Sequence, residues 1–225
     1  MRRSWLRALG WWAADYSYVL FWQARALFSR ADAGALRAGD RTPVVIIPGI
    51  YEPWKFMAPL YRVLHEQGHP IYAVPALKLN LRPVTEAAGV VTAFLEANEI
   101  QDAIVVAHSK GGLIGKLVMV QDAGRQRVRG MVAVATPFSG SVYARYMVAP
   151  SLRIFSPDDP TLRSLGSEAA VNSRIVSIYG KFDPHIPARS GLDGARNVEL
   201  ETGGHFRILS DPSIREEVEL LDRLP

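Results

Sequence analysis

The 225 residues carry 26 Lys and Arg against 22 Asp and Glu, a formal charge of +4, with 48% hydrophobic residues and no cysteine. That is enough for one ordinary domain and marginal for two. The apolar fraction argues against disorder, and the missing thiols exclude a disulfide scaffold, a thiolate metal site and a cysteine nucleophile. The positive excess gathers in Arg2, Arg3, Arg7, Arg25 and Arg30. No basic stripe with interleaved aromatics follows it, so nucleic acid is not an expected partner.

Residues 1–30 differ from the rest of the chain. Trp5, Trp11, Trp12 and Trp22 lie there beside Tyr16, Tyr18, Phe21 and Phe28, with no proline to break a helix. The spacing Trp5, Leu9, Trp12, Tyr16, Val19 traces one helical face. Trp11, Tyr18 and Trp22 put apolar surface on other faces, and such a helix wants protein or lipid around it. No small-residue cleavage pattern follows, as a signal peptide requires. Asp15 splits the run below the roughly 18 residues of a membrane span. Two readings stay open: a helix packed on the domain or across a homodimer interface, or one lying at a membrane surface with arginines and tryptophans at headgroup depth. A true span is the poorest fit.

After a small-residue linker from Ala31 to Gly39, Val44 to Ile47 reads as a buried strand bounded by Pro43 and Pro48-Gly49. Leu60, Val63 and Leu64 follow at helical spacing, and Ile71 to Val74 is the second strand. Val84 to Asn98 gives a helix with Ala87, Val91, Phe94 and Leu95 as its core stripe. Ala103 to Ala107 is the third strand, running into a helix from Leu113 to Gln121. Val128 to Ala135, Ile175 to Tyr179 and Asn197 to Leu200 supply three more strands, and Ile214 to Leu224 a closing helix. Strands alternating with helices predict an α/β fold: a mostly parallel sheet of about six strands, helices on both faces, and strand C-terminal ends along one edge. From Pro137 to Ala170 no convincing crossover helix is visible, yet large apolar residues abound. Residues 138–170 therefore read as a short, partly helical cap at a pocket mouth.

The sharpest motif is Val105-Val106-Ala107-His108-Ser109-Lys110-Gly111-Gly112. A buried strand meets a helix at a serine with small residues two positions away on each side, as a strained strand-to-helix turn needs. A serine hydroxyl requires a base, and the base an orienting carboxylate. Asp183 directly follows the fifth strand and His205, in Gly203-Gly204-His205, the sixth; all three would emerge at one sheet edge. Asp158 or Asp159 is the fallback acid. His108 reads mainly as packing beside the turn and fixing it through a ring hydrogen bond. An oxyanion needs two amides, and the natural donors are those of Lys110, at a helix N-terminus, and Ile50, in the turn after the first strand. With few histidines and no repeated ligand spacing, no metal and no cofactor is expected.

These residues resemble the α/β-hydrolase superfamily, in particular the small bacterial lipases and esterases, over residues 42–224. The resemblance rests on Ile47-Pro48-Gly49-Ile50, Ala107-His108-Ser109-Lys110-Gly111-Gly112, Ala135-Thr136-Pro137-Phe138-Ser139-Gly140, Asp183 and Gly204-His205. Ala107 is similar to a group of very small lipases with Ala-x-Ser-x-Gly. Pro48 stands where many relatives have histidine, and Lys110 replaces a frequent apolar residue, with an expected effect on substrate preference. The division implied is residues 1–39 as an N-terminal helix and linker, and residues 40–225 as the hydrolase domain with its cap.

The expected chemistry is hydrolysis of lipid-like or other apolar esters through an acyl-enzyme. Tyr51, His108, Phe138, Tyr143, Met147 and Phe206 are the expected substrate contacts. An amidase, thioesterase or acyltransferase on the same triad, or a non-catalytic membrane-associated domain, are the alternatives. The cytoplasm or the inner membrane surface is the expected location, and removal of residues 1–30 is expected to spare turnover of soluble esters.

Overall fold

The computed structural model describes residues 2–122 and 127–224, with side chains from residue 7 onward except that of Pro150. The side chains of Arg2, Arg3 and Trp5, invoked above, lie outside the described residues. A long N-terminal helix, α1 (Arg2–Phe28), precedes β1 (Val44–Ile47), α2 (Ala58–Glu66), β2 (Ile71–Ala73), α3 (Val84–Ala97) and β3 (Ala103–His108). Then come α4 (Lys110–Gln121), β4 (Val128–Val134), the single turn α5 (Pro150–Arg153), α6 (Pro160–Ser167), β5 (Ile175–Phe182), β6 (Arg196–Gly203) and α7 (Ser213–Asp222).

Over the described residues the strands form a six-stranded sheet in the order β2-β1-β3-β4-β5-β6, every pair parallel. β1, and β3 as far as Ala107, are apolar without interruption because both their faces are covered. Alternate residues serve opposite sides, as the two-residue strand period dictates. Val45, Ile47, Val105 and Ala107 pack with Val91 and Leu95 of α3 and Leu113, Ile114 and Val118 of α4. Val44, Ile46, Ile104 and Val106 pack with Leu60 and Leu64 of α2 and Ile214, Val218 and Leu221 of α7.

The chain reverses its direction of travel across the sheet between β1 and β3, where the carboxyl ends of an open α/β sheet leave a crevice. Ile47 lies opposite Ala107, so the turn after β1 and the turn after β3 sit side by side at that crevice. β5 and β6 run further than their apolar stretches indicate, to Phe182 and Gly203. They thus deliver Asp183 and Gly204-His205 to the same rim.

The segment after β4 divides. Its first part is a 3₁₀ turn (Val142–Tyr146) and α5, and its second is α6, a two-turn crossover helix whose Leu162 and Leu165 enter the core beside α4. The reading without a crossover helix is corrected here. Eight residues starting at proline are too few for a helical period to show in the sequence.

Candidate active site

Ser109 stands between β3 and α4 with φ 49° and ψ −120°, a backbone state that costs about 1–3 kcal/mol and persists only where packing enforces it. The enforcement is steric. A Cβ on Gly111 would run into the Ile47 carbonyl, and one on Gly112 into the Thr136 side chain. Glycine at both positions lets α4 start hard against the sheet, which lifts the serine hydroxyl off the end of β3.

His205 Nε2 lies 3.0 Å from Ser109 Oγ, and His205 Nδ1 lies 2.8 Å from Asp183 Oδ2. All three side chains are buried. Asp183 Oδ1 accepts the amides of His185 and Ile186 at 2.7 and 3.0 Å, which leaves Oδ2 aimed at the imidazole. Burial alone would push the Asp183 carboxyl up. The charge and hydrogen bond of His205, with the His185 amide, outweigh it and hold the group below its ordinary value. Burial would likewise lower His205, but the charge and hydrogen bond of Asp183, helped by Glu52 and Asp15, raise it. His205 donating from Nδ1 and accepting from the serine at Nε2 is the tautomer a general base needs.

Neither the Ile50 nor the Lys110 amide has an acceptor among the described residues. The turn that carries Ile50 is tied down around it: Tyr51 N–H donates to Leu79 O at 2.8 Å and Asn80 Nδ2 to Pro48 O at 2.7 Å. A cavity of about 560 Å³ opens over Ser109. α1 lines it with Trp12, Tyr16, Val19 and Gln23, and the β1 turn with Ile50, Tyr51 and Glu52. The segment after β4 adds Tyr143, Ala144, Met147, Leu152 and Phe155, and the far side is closed by His185, Ile186 and Phe206.

No family model and no curated protein matches the sequence. Solved structures match the fold. The chain superposes on the mature form of Bacillus licheniformis lipase BlEst2 with a TM-score of 0.65 at 13% identity, over 82% of this chain and 97% of that one. A monoacylglycerol lipase of Paleococcus ferrophilus gives 0.59 at 15% identity, over 82% and 96%. An extracellular α/β-hydrolase from a Paenibacillus species gives 0.56 at 18% identity, over 80% and 98%. The fold is an α/β-hydrolase fold.

Within that α/β-hydrolase frame, Tyr51, Tyr143, Met147 and Phe206 reach the cavity wall, whereas Phe138 and His108 do not. Phe138 turns into the core beside α4. His108 is fully buried, with Nδ1 2.8 Å from Glu52 Oε2 and Nε2 3.0 Å from the His205 carbonyl. A carbonyl can only accept, so Nε2 is the donor of that contact. The fallback acids are engaged elsewhere: Asp159 caps α6, and Asp158 pairs with Arg145 and Arg163.

Lys110 is also corrected. Its ammonium turns away from the cavity and donates to the carbonyls of Asn80, at 2.7 Å, and Arg82. Burial lowers its pKa to about 8. Instead of meeting substrate, it ties the start of α4 to the loop that braces the β1 turn.

Of the helical face read from the aromatics, Trp12, Tyr16 and Val19 line the cavity, while Leu9 is exposed. The most deeply buried side chain on that part of α1 is instead that of Asp15, which is wholly buried. Its carboxylate accepts the amides of His205, Phe206 and Arg207 at 2.9, 2.8 and 2.8 Å. Burying a lone carboxylate costs several kcal/mol, which three charge-assisted hydrogen bonds of about 1.5–3 kcal/mol each offset. The segment expected to be separable from the site is therefore one of its walls. Sequence reasoning missed Asp15, Glu52 and Asn80. The available signal was the same for the two acids: a carboxylate inside an apolar stretch must find donors if that stretch is buried.

Proposed function

We propose that this chain is a serine hydrolase that cleaves carboxylic esters of apolar acyl groups through an acyl-enzyme. The observation that carries it is the unbroken line from Ser109 Oγ through the His205 ring to Asp183, at 3.0 and 2.8 Å, facing an apolar, aromatic cavity. Ser109 attacks the ester carbonyl while Nε2 of His205 takes its proton, and Asp183 stabilises the imidazolium. The tetrahedral oxyanion rests on the amides of Ile50 and Lys110. His205 returns the proton to the departing alcohol; water then attacks the acyl-enzyme with His205 again as base, releasing the acid and freeing Ser109. The lining of Leu152, Met147 and Phe155 suits an acyl chain, because such a wall offers nothing to a buried charge. Two of the three structures compared above are lipases, which supports the ester reading.

The same reading places exposed apolar side chains of α1 and of the segment after β4 against a lipid surface. Tyr146 and Val148 of that segment, and Leu20, Leu27 and Phe28 of α1, stand in solvent. Among the described residues no helix is long and apolar enough to cross a membrane.

Labelling by a fluorophosphonate, abolished in Ser109→Ala, tests the nucleophile. A panel of nitrophenyl esters from acetate to palmitate, with triglyceride and phospholipid emulsions, tests the substrate class. Preference for a charged or amide substrate would overturn the reading.

A further inference from the structure

α1 reaches the site at three loops, each through a polar side chain. Asp15 accepts the three consecutive amides that begin with His205. Gln23 Nε2 donates to the Tyr51 carbonyl at 3.0 Å, one residue beyond the oxyanion donor Ile50. The Tyr16 hydroxyl meets His185 Nε2 at 3.3 Å, in the loop that carries Asp183. The surface that receives the helix is shaped for it. A Cβ on Gly203 would come within 2.6 Å of the Trp11 ring, and one on Gly204, at φ +128°, within 2.6 Å of Asp15 Oδ1. The two glycines before the base are the seat of α1.

The main chain of His205 is consequently held at both ends, its N–H by Asp15 and its carbonyl by the His108 ring, which Glu52 holds in turn. We propose that Asp15 is a positioning residue for the base His205, so that docking of α1 completes the active site. The proposal rests on the reading of His205 as the base. The imidazole must satisfy Ser109 on one loop and Asp183 on another, and neither partner fixes the backbone from which the ring hangs. A displacement of about 1 Å at such a group costs on the order of 10²-fold in rate. Asp15 supplies the anchor, and its charge joins that of Asp183 and Glu52 in favouring the protonated ring. His108, His185 and Tyr16 are the other titratable groups packed around that ring.

The test uses the full chain. In Asp15→Asn one oxygen becomes an NH₂ that opposes an amide donor. With nitrophenyl acetate, kcat should fall about 10–100-fold with KM within about twofold. The acid limb of kcat/KM should move to lower pH, because one carboxylate that favours protonated His205 is gone. Asp15→Glu keeps the charge and displaces the loop, so kcat should fall with the limb in place; it serves equally if the asparagine variant does not fold. Tyr18→Phe removes a docking hydrogen bond to Ser210 without touching the base loop, and should leave both kcat and the limb unchanged. Wild-type kcat in either folded Asp15 variant, or an equal loss in Tyr18→Phe, overturns the proposal. If the wild-type chain neither turns over esters nor labels at Ser109, the functional reading fails on its own. NMR titration of His205 in wild type and Asp15→Asn then still decides the claim, with unchanged titration counting against it.

Discussion

A serine hydroxyl attacks nothing until its proton has somewhere to go, and His205 is the acceptor built for it. His205→Ala should lower ester turnover by about 10³-fold or more, and Asp183→Asn should do comparable damage by freeing the ring to adopt the wrong tautomer. Both are read from kcat on nitrophenyl butyrate, and a loss under about tenfold in either would remove that residue from its role. The pH dependence has a definite sign. The base must be neutral to act, and its surroundings raise its pKa above the ordinary 6.5. Activity should therefore fall, as pH drops, through a midpoint above 6.5, where a free histidine would still be mostly neutral. His185, beside it, is pushed down to about 4 by burial and then by the charge of His205. It stays uncharged across that limb, which should show a single proton. A midpoint below 6.5 in kcat/KM would mean that another group governs the limb.

The elements present these side chains through contacts of very different visibility. β1 and β3 are legible to within a residue because each is an uninterrupted apolar run closed by a turn-forming residue, and burial on both faces demands such a run. The ends of β5 and β6 are less so: β6 is an edge strand whose Glu199 and Glu201 look outward, and polar residues on one face mute the signal. The start of α4 is legible as a motif, but its reason lies in contacts remote in sequence, with Ile47 and Thr136. Gly112→Ala should accordingly destabilise the fold by about 1–3 kcal/mol, the usual range for overpacking, measured by urea unfolding. Lys110 makes the same point for a side chain. Chain position beside the nucleophile suggests substrate contact; the structure gives it to two carbonyls of the loop that holds the Ile50 turn. Lys110→Met keeps the backbone donor and loses the tie. It should lower kcat while leaving chain-length preference unchanged, and an altered preference across the ester panel would return the lysine to the pocket.

At the scale of the molecule, the N-terminal helix is the least legible part. An amphipathic reading sends Asp15 outward with the polar residues, and only the presence of three free amides near the end of β6, far along the chain, turns it inward. With Asp15 fixed as the inward pole, the opposite side of α1 is left carrying apolar side chains with nothing upon them. Leu20 and Leu27 are 70% and 79% exposed. Tyr146 and Val148, either side of the cavity-lining Met147, are 85% and 94% exposed, and Leu20 follows the cavity-lining Val19, so an exposed apolar rim runs beside the cavity wall on both segments. Elsewhere on α1, Arg7 and Arg25 lie over the rings of Trp11 and Trp22, and arginine–tryptophan pairs are suited to headgroup depth. Each large side chain transferred from water is worth about 1.5–3 kcal/mol, so a pair should shift partitioning by tenfold or more. Leu20→Ser combined with Leu27→Ser should therefore cut sedimentation with anionic phospholipid vesicles by at least about tenfold. These residues touch neither the cavity nor the base loop, so kcat on nitrophenyl acetate should not change. Turnover of long-chain esters presented in vesicles should fall in step with binding. Raising salt should weaken the residual binding, because exposed charges are screened beyond about 8–10 Å. Undiminished sedimentation of the double variant would leave the rim without a role at lipid, and the cavity would then draw its substrate from solution.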